Sequence, residues 1–320
     1  MNKIYYINDL GYSNGYHNFD NHRLPQAYMD IFPWYSVRWD SVYQEIKGDN
    51  NIIIIQTPTN NELQCLNIID HLCNNNKVFI NQESSIFDWF DWPAEEQQLY
   101  IKILTKAKAF LYHSEHDKDV MKVFIDTFIR YPGCINFSVS AGRSFNQGEY
   151  VLIPNPIKRY QRGMITHKIV SDTIPDIKTY SMYYRYPEQK YNLSFPDKYE
   201  IGNIEVLPRM MFDEWIGVIS GTKFGVDIHR EFSGGNVSLE FGALGVPLVG
   251  NILLDTQRDI FPDLSFEYKD YDNIKNSIKL LCNDRDFYKE VSNKAIDNIN
   301  HLYRSNKVVE DFKKEFIKLI

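Results

Sequence analysis

The chain has 320 residues, a formal net charge of −7, 43% hydrophobic residues and 24% charged residues. This composition is typical of a globular protein large enough for two domains, and it excludes a disordered or fibrous chain. The acidic balance argues against a dedicated nucleic-acid-binding protein, which is basic overall, but it is compatible with a local basic groove.

Short apolar runs alternate with amphipathic segments of helical period through the first half of the chain. Continuous apolar strands without polar alternation are typical of a parallel sheet that is covered on both faces. The predicted strands are Lys3–Asn8, Tyr35–Trp39, Asn51–Thr57, Lys77–Asn81 and Ala109–Tyr112, and the predicted helices are Arg23–Ile31, Asn61–Asn74, Pro93–Thr105 and Glu115–Ile129.

The segment Tyr150–Ile157 contains two prolines and interrupts this alternation. We place a domain boundary there, with a first domain over residues 1–152, a second over 153–306 and a C-terminal helix over 307–320. Strands and helices alternate again beyond it. The predicted helices are Lys158–Ser171, Arg209–Ser220, Asn273–Cys282 and Asp286–Tyr303, and the predicted strands are Thr179–Tyr184, Ile204–Leu207, Phe224–Ile228 and Pro247–Gly250.

Four scattered cysteines, at positions 65, 73, 134 and 282, form no C-x-x-C pair, so neither a zinc site nor a redox dithiol is indicated. They are typical of free thiols in a reducing compartment. The N-terminal residues lack the apolar run of a signal peptide, and the longest aliphatic run, Ile52–Ile55, is too short to span a bilayer. We expect a cytoplasmic protein without a transmembrane segment.

The most informative stretch, residues 233–250, combines a glycine turn, a helix and a buried strand. Ser233 is predicted to be the N-cap, and residues 234–236 leave backbone amides at the positive end of the helix dipole. Such a helix start is a natural phosphate site. Glu240, further along the same helix, is suited to accept hydrogen bonds from ribose hydroxyls.

This stretch resembles the donor-nucleotide box of GT-B glycosyltransferases. The resemblance implies an α/β protein with two Rossmann-like, doubly wound parallel-sheet domains that face each other across a cleft, and a last helix that crosses back to the first domain. It also implies an enzyme that transfers a sugar from a UDP- or GDP-sugar to a hydroxyl acceptor. The residues that carry the resemblance are Gly234, Gly235, Asn236, Ser238, Glu240, Gly245, Val246, Pro247, Asp255, Thr256 and Gln257.

The sequence differs from the family pattern in two ways. These differences leave open which branch of the family it resembles, and therefore the stereochemical outcome of the reaction. The retaining branch carries two Glu residues eight apart, whereas Glu231 and Glu240 are nine apart. The plant-type inverting branch has a His just before the glycine turn, where this chain has Phe232 and Ser233.

The resemblance assigns the donor contacts. Arg230 is expected to pair with the diphosphate beside the helix amides, because a guanidinium binds phosphate bidentately. Asp255 and Gln257 are similar to the sugar-contacting pair of the family. Gly11 and Gly15, in the loop after the first strand, permit close backbone approach to the sugar and diphosphate. Since the helix and Arg230 replace a cation, we expect no metal ion and no cofactor beyond the nucleotide sugar.

Three residues of the first domain are candidates for a general base. An inverting reaction needs such a base, and the pKa of a histidine such as His17 lies near working pH. Glu83 and Asp88 are alternatives, because carboxylates among the aromatic residues 87–92 suit a sugar or base acceptor. The same aromatic segment is equally compatible with a lid over the core.

The sequence lacks the motifs that are typical of several other activities. The chain has no P-loop, no G-x-G-x-x-G after the first strand and no G-x-S-x-G. The Asp-Arg-Asp run at 284–286 has the form of a metal-binding D-x-D, but it opens a predicted helix, so we interpret it as a helix cap.

The acceptor and the oligomeric state stay open. One acceptor is a glycan or lipid-linked sugar. Another is a hydroxymethylated base in phage DNA, which requires a cationic groove. The box is also compatible with a UDP-sugar epimerase of GT-B-like fold and with a non-catalytic nucleotide-sugar-binding module. The candidate groove residues are Arg130, Arg143, Lys158, Arg159 and Arg162.

Overall fold

The computed structural model describes residues 3–8, 34–57, 62–81, 89, 92–131, 133, 143–154, 162–182, 204–207, 210, 212–228 and 235–320. The chain divides into two compact units. The first contains Met1–Asn136 and Arg304–Ile320, and the second contains Phe137–Glu231 and Gly235–Tyr303.

The described residues form two parallel sheets and the helices that cover them. The strands are β1 (Ile4–Asn8), β2 (Trp34–Arg38), β3 (Ile52–Gln56), β4 (Lys77–Asn81), β5 (Ala109–Tyr112), β6 (Phe128–Arg130), β7 (Tyr150–Ile153), β8 (Thr179–Met182), β9 (Ile204–Leu207), β10 (Thr222–Asp227), β11 (Leu248–Asn251) and β12 (Ser265–Phe266). The helices are α1 (Val42–Glu45), α2 (Glu62–Leu72), α3 (Ala94–Lys106), α4 (Glu115–Met121), α5 (Arg162–Thr173), α6 (Phe212–Gly221), α7 (Asn236–Ala243), α8 (Asp255–Ile260), α9 (Tyr271–Asn283), α10 (Arg285–Leu302) and α11 (Ser305–Ile317).

Both sheets are six-stranded among the described residues. The first has the order β2-β1-β3-β4-β5-β6 and the second the order β12-β11-β10-β7-β8-β9. Every neighbouring pair is parallel. The predicted α/β fold with two doubly wound parallel sheets is therefore confirmed.

The first sheet is buried on both faces, as its continuous apolar strands predict. Successive residues of a strand point to opposite faces. In β1, Tyr5 and Ile7 join a core that includes residues of α2 and α3, while Ile4 and Tyr6 join a second core that includes residues of α11. Helix α11 thus closes the face of the first sheet that α2 and α3 leave open.

The structure differs from the sequence predictions in several elements, and neither α1 nor β12 was predicted. The helix predicted over Glu115–Ile129 ends at Met121, and its last residues belong to β6, which pairs with β5. The segment around Asp255, expected as a loop, is the short helix α8. The predicted cap at Asp284 is confirmed, because its carboxylate accepts the amide hydrogens of Asp286 and Phe287.

The expected domain boundary at 152/153 falls inside β7. This strand pairs with β8 and β10, so it is a central strand of the second sheet, and the second unit begins at Phe137. The predicted helix Arg23–Ile31 lies outside the described residues. None of the described helices combines the length and apolar character that crossing a membrane requires.

The docking of α11 gives a stability prediction. Phe316 is fully buried, with its ring centroid 4.6 Å from that of Phe79 on β4 and 5.4 Å from that of Phe312. Phe316→Ala should lower the free energy of unfolding by about 3 to 5 kcal/mol, because it leaves a cavity in this core. Urea unfolding measures the change.

The neighbouring residue supplies the control. Ile317 is 50% exposed, so Ile317→Ala should cost far less stability. Equal effects of the two variants would contradict the packing of α11 on the first sheet.

Candidate nucleotide-binding site

The candidate site lies at the carboxyl edge of the second sheet. Strands β7 and β10 are neighbours there, and the chain proceeds from β7 to β8 on one side and from β10 to β11 on the other. In open α/β sheets, ligands bind outside the carboxyl ends of the strands at such a switch point. The glycine-containing segment follows β10 directly, so the topology brings it to this position.

Helix α7 begins at Asn236, with Gly235 as its N-cap. Gly235 has a φ of 66°, in the left-handed region, and its carbonyl accepts the amide hydrogen of Ser238 at 3.1 Å. The predicted N-cap, Ser233, lies two residues earlier and outside the described residues. The glycine provides the cap here because a residue without Cβ adopts this φ at little cost.

A threonine hydroxyl holds the start of α7 in place. Thr256 Oγ1, in α8, donates to the carbonyl of Gly235 at 3.0 Å, and both residues are buried. A Cβ at position 235 would lie 1.8 Å from that same oxygen. The close approach of the two helices therefore requires glycine at this position on steric as well as conformational grounds.

A second threonine holds the chain at the end of β10. Thr166 in α5 donates its hydroxyl to the carbonyl of Ile228 at 2.8 Å and accepts the Ile228 amide hydrogen at 3.1 Å. Thus the chain is fixed at Ile228 and again at Gly235, on either side of residues 229–234. Thr256 belongs to the stretch that resembles the donor box, whereas Thr166 was not predicted, because a single Thr carries no local pattern.

The polar residues Ser238 and Gln257 bind each other. Ser238 Oγ donates to Gln257 Oε1 at 2.9 Å, and Gln257 Nε2 donates to the carbonyl of Leu248 at 2.8 Å. Gln257 is fully buried. Its amide therefore joins α7, α8 and β11.

Glu240 is buried on α7, where Trp215 of α6 binds its carboxylate. The indole Nε1 donates to Glu240 Oε2 at 2.6 Å, and the relative exposures of Glu240 and Trp215 are 2% and 6%. Trp215 was not foreseen, because the two residues lie 25 positions apart.

Asp255 is buried as the first residue of α8. Its Oδ1 accepts a hydrogen bond from Arg258 Nη2 at 2.9 Å, and the aspartate side chain is 5% exposed against 47% for the arginine. The described donor-box residues Gly235, Asn236, Ser238, Glu240, Asp255 and Gln257 all lie on α7, its cap and α8.

The remaining predicted site residues lie outside the described residues, so no geometry is assigned to them. They are Arg230, Ser233 and Gly234 of the donor box, Gly11 and Gly15 of the first loop, and the candidate bases His17, Glu83 and Asp88. In the sequence, Gly11 and Gly15 come after β1, and Glu83 comes after β4.

A polar cluster marks the carboxyl edge of the first sheet. His113 Nε2 lies 2.7 Å from Asn81 Oδ1, and the Asn81 carbonyl accepts the Thr57 amide hydrogen at 2.8 Å. Burial lowers the pKa of His113 to about 4. This imidazole is therefore neutral near pH 7. His113 was not predicted as a site residue.

Arg143, proposed above for a cationic groove, has a different position. Its guanidinium donates to the Ser220 carbonyl at 2.6 Å, at the end of α6 immediately before β10 begins. It therefore caps a helix C-terminus at the amino edge of the second sheet, opposite the candidate site. Burial lowers its pKa.

No group of three or more His, Cys, Asp or Glu side chains with the arrangement of a metal site occurs within the part of the chain that the structure describes.

The structure is similar to solved glycosyltransferases of GT-B fold. TarM of S. aureus, solved with Fondaparinux, alpha-GlcNAc-glycerol and UDP, matches with a TM-score of 0.64 and 14% identity, over 87% of this chain and 58% of TarM. Sucrose-phosphate synthase from Thermosynechococcus elongatus matches with a TM-score of 0.70 and 10% identity, over 100% of this chain and 99% of that one. This chain therefore spans little more than half of the TarM chain but nearly all of the synthase.

A third similar structure is an alpha-glucosyltransferase in complex with UDP and a 13-mer DNA containing an HMU base. It matches with a TM-score of 0.63 and 14% identity, over 100% of both chains. Neither a protein-family model nor a curated protein sequence matches the chain. At these identities the likeness establishes the fold, and the chain has the GT-B fold.

Replacing Gly235 and Gly217 by alanine should change the free energy of unfolding in opposite directions, because only Gly235 contacts Thr256. Gly235→Ala should lower the free energy of unfolding by at least about 1 to 2 kcal/mol, because of its left-handed φ, before the overlap with Thr256 is counted. Gly217 lies on the open surface of α6, and an added Cβ would have nothing within 4 Å. Gly217→Ala should therefore raise the free energy of unfolding by about 0.5 to 1 kcal/mol. Urea unfolding compares the two, and destabilisation of the same size at both sites would contradict the cap geometry.

Two buried histidines predict loss of stability in acid. Burial lowers the pKa of His113 and of His167 from 6.5 to about 4. The unfolded chain binds these protons first, so the stability that the neutral rings provide is complete above pH 6.5 and is lost as pH falls towards 4. Each ring should contribute up to about 1.4 kcal/mol per pH unit within that window.

Urea unfolding between pH 7 and pH 4 tests this effect, with His113→Gln and His167→Gln as comparisons. Each variant should show a shallower fall in stability with pH than the parent protein. A slope unchanged by both substitutions would show that these rings take up protons in the folded state.

Proposed function

We propose that this protein is a glycosyltransferase that transfers a sugar from a UDP- or GDP-sugar to a hydroxyl acceptor. The observation that carries the proposal is the start of α7. It lies at the switch point of a parallel sheet and is fastened by Thr256 through Gly235. The GT-B fold of the similar structures supports the same activity.

The proposed donor site uses the amides at positions 234–236 for the diphosphate, with Arg230 beside them. Helix amides and a guanidinium stabilise the negative charge that develops on a departing diphosphate. Because they are held in advance, little reorganisation is needed when the bond to the sugar breaks. We therefore propose a metal-independent reaction.

Glu240 is proposed to accept the ribose hydroxyls, and Asp255 to contact the sugar. Ser238 and Gln257 are proposed to support the donor site indirectly, since Ser238 binds Gln257, and Gln257 binds the backbone of β11. His17 is the proposed general base of an inverting reaction, with Glu83 and Asp88 as alternatives. Gly11 and Gly15 allow the loop after β1 to approach the donor.

A hydroxymethylated DNA base is one proposed acceptor, and a glycan or lipid-linked sugar is the other. The DNA acceptor is favoured by the alpha-glucosyltransferase solved with UDP and DNA, whose similarity extends over the whole of both chains. The glycan acceptor is consistent with TarM, which was solved with alpha-GlcNAc-glycerol, and with sucrose-phosphate synthase.

A thermal-shift panel of UDP, GDP and their sugar conjugates tests the donor site. A nucleotide that binds the folded state raises Tm, by an amount that grows with the logarithm of its excess over Kd. We expect a shift with one nucleotide, diminished in Glu240→Gln. Glu290→Gln, on the outer surface of α10, is the matched control and should leave the shift unchanged. No shift with any nucleotide at millimolar concentration would contradict the donor site.

An assay of nucleotide release tests the reaction and its acceptor. Release that requires hydroxymethylated DNA, or a glycan, identifies a transferase and its acceptor. Because the proposed reaction is metal-independent, EDTA should leave the rate of release unchanged. Release with the donor alone indicates an epimerase, and donor binding without turnover on any acceptor indicates a binding module. Binding to DNA should weaken steeply as salt rises, because phosphate contacts release counterions.

A further inference from the structure

The bond between Trp215 and Glu240 joins α6 to α7. The indole Nε1 donates to Glu240 Oε2 at 2.6 Å, and both side chains are buried. An indole N–H can only donate, and a hydrogen bond in a buried setting is stronger than the same bond in water. It therefore restricts the rotation of the carboxylate about its terminal bond.

The surrounding residues also fix the backbone position of Glu240. It lies in the middle of α7, whose residues Ser238 to Ala243 are all buried. The first turn of that helix is held by Thr256 through Gly235 and by Gln257 through Ser238. With the backbone fixed, the plane of the carboxylate depends on the side-chain torsions, which the indole bond constrains.

We propose that Trp215 is a positioning residue that sets the orientation of Glu240 for binding ribose hydroxyls, and so makes the site selective for ribonucleotides. This inference rests on the proposed function, since it assumes a nucleotide in the donor site. A carboxylate has about four lone-pair sites, so the indole bond is compatible with further hydrogen bonds from a ligand. Trp215 itself acts through Glu240 and touches neither the ribose nor the reacting atoms.

The test compares the binding of UDP and 2′,3′-dideoxy-UDP, or of the GDP pair, by isothermal titration calorimetry. Wild-type protein should bind the ribonucleotide more tightly. Trp215→Phe keeps a buried aromatic ring but removes the N–H, and it should raise the Kd of the ribonucleotide about tenfold. Its Kd for the dideoxy compound should hardly change. The ratio of the Kd of the dideoxynucleotide to the Kd of the ribonucleotide should therefore fall towards one.

Tyr150→Phe is the matched control. The Tyr150 hydroxyl donates to the Val218 carbonyl, also on α6 and also at 2.6 Å, but this bond does not involve Glu240. This variant loosens the same helix and should keep the wild-type ratio. A general structural effect of Trp215→Phe would weaken both nucleotides equally, and an unchanged ratio would overturn the positioning role while leaving the donor site intact.

Glu240→Gln provides a second test should Trp215→Phe fail to fold. The amide oxygen of glutamine can still accept the indole N–H, but its NH₂ group cannot accept a hydroxyl hydrogen. The ratio should again fall towards one. An unchanged ratio in this variant, or a wild-type protein that does not distinguish the two nucleotides, would overturn the inference. A wild-type protein that binds neither UDP nor GDP would overturn the proposed donor site as well.

Discussion

Two threonine hydroxyls hold the chain on either side of the segment that connects β10 to α7. Thr166 binds the backbone of Ile228, and Thr256 binds the carbonyl of Gly235. The position of α7, and hence of the amides at its start and of Glu240, depends on these bonds. A helix start that was free to move would offer the same amides without a defined geometry for a ligand.

Fixing these groups in advance has a functional consequence. A ligand that binds to ordered donors does not have to immobilise them, so more of the interaction energy remains for binding and for the transition state. The hydrogen bond between Ser238 and Gln257 has a different role. Their bonds satisfy polar groups in the buried part of α7, where an unsatisfied group costs roughly 1 to 3 kcal/mol. The polar residues of the donor box thus divide between those proposed to bind the ligand and those that support them.

The fold could be predicted because its central strands are short, continuous and apolar. The strands predicted at Lys77–Asn81 and Ala109–Tyr112 are found with the same bounds, and β3 is one residue shorter at each end than predicted. The same signal failed at Glu115–Ile129, because apolar residues in a short run satisfy the period of a helix as well as that of a buried strand. Helix α8 was missed because its first residues, Asp255 to Arg258, are polar and its bonds to α7 are tertiary.

The candidate site could be predicted only where its residues are adjacent in sequence. The glycine turn and Glu240 form one local pattern that also resembles a known family. The partners that define their geometry lie far away in the chain, as Trp215 does from Glu240 and Thr166 from Ile228, and no local period links them. A single hydrogen-bonding residue on a neighbouring helix cannot be identified from composition or spacing.

The most direct test of this account is a crystal structure of the protein with the nucleotide that gives the largest thermal shift. The account predicts the diphosphate against the backbone amides at positions 235 and 236, and the ribose hydroxyls on Glu240, with the indole of Trp215 still bound to that carboxylate. A nucleotide bound elsewhere, with α7 making no contact to its phosphates, would contradict it.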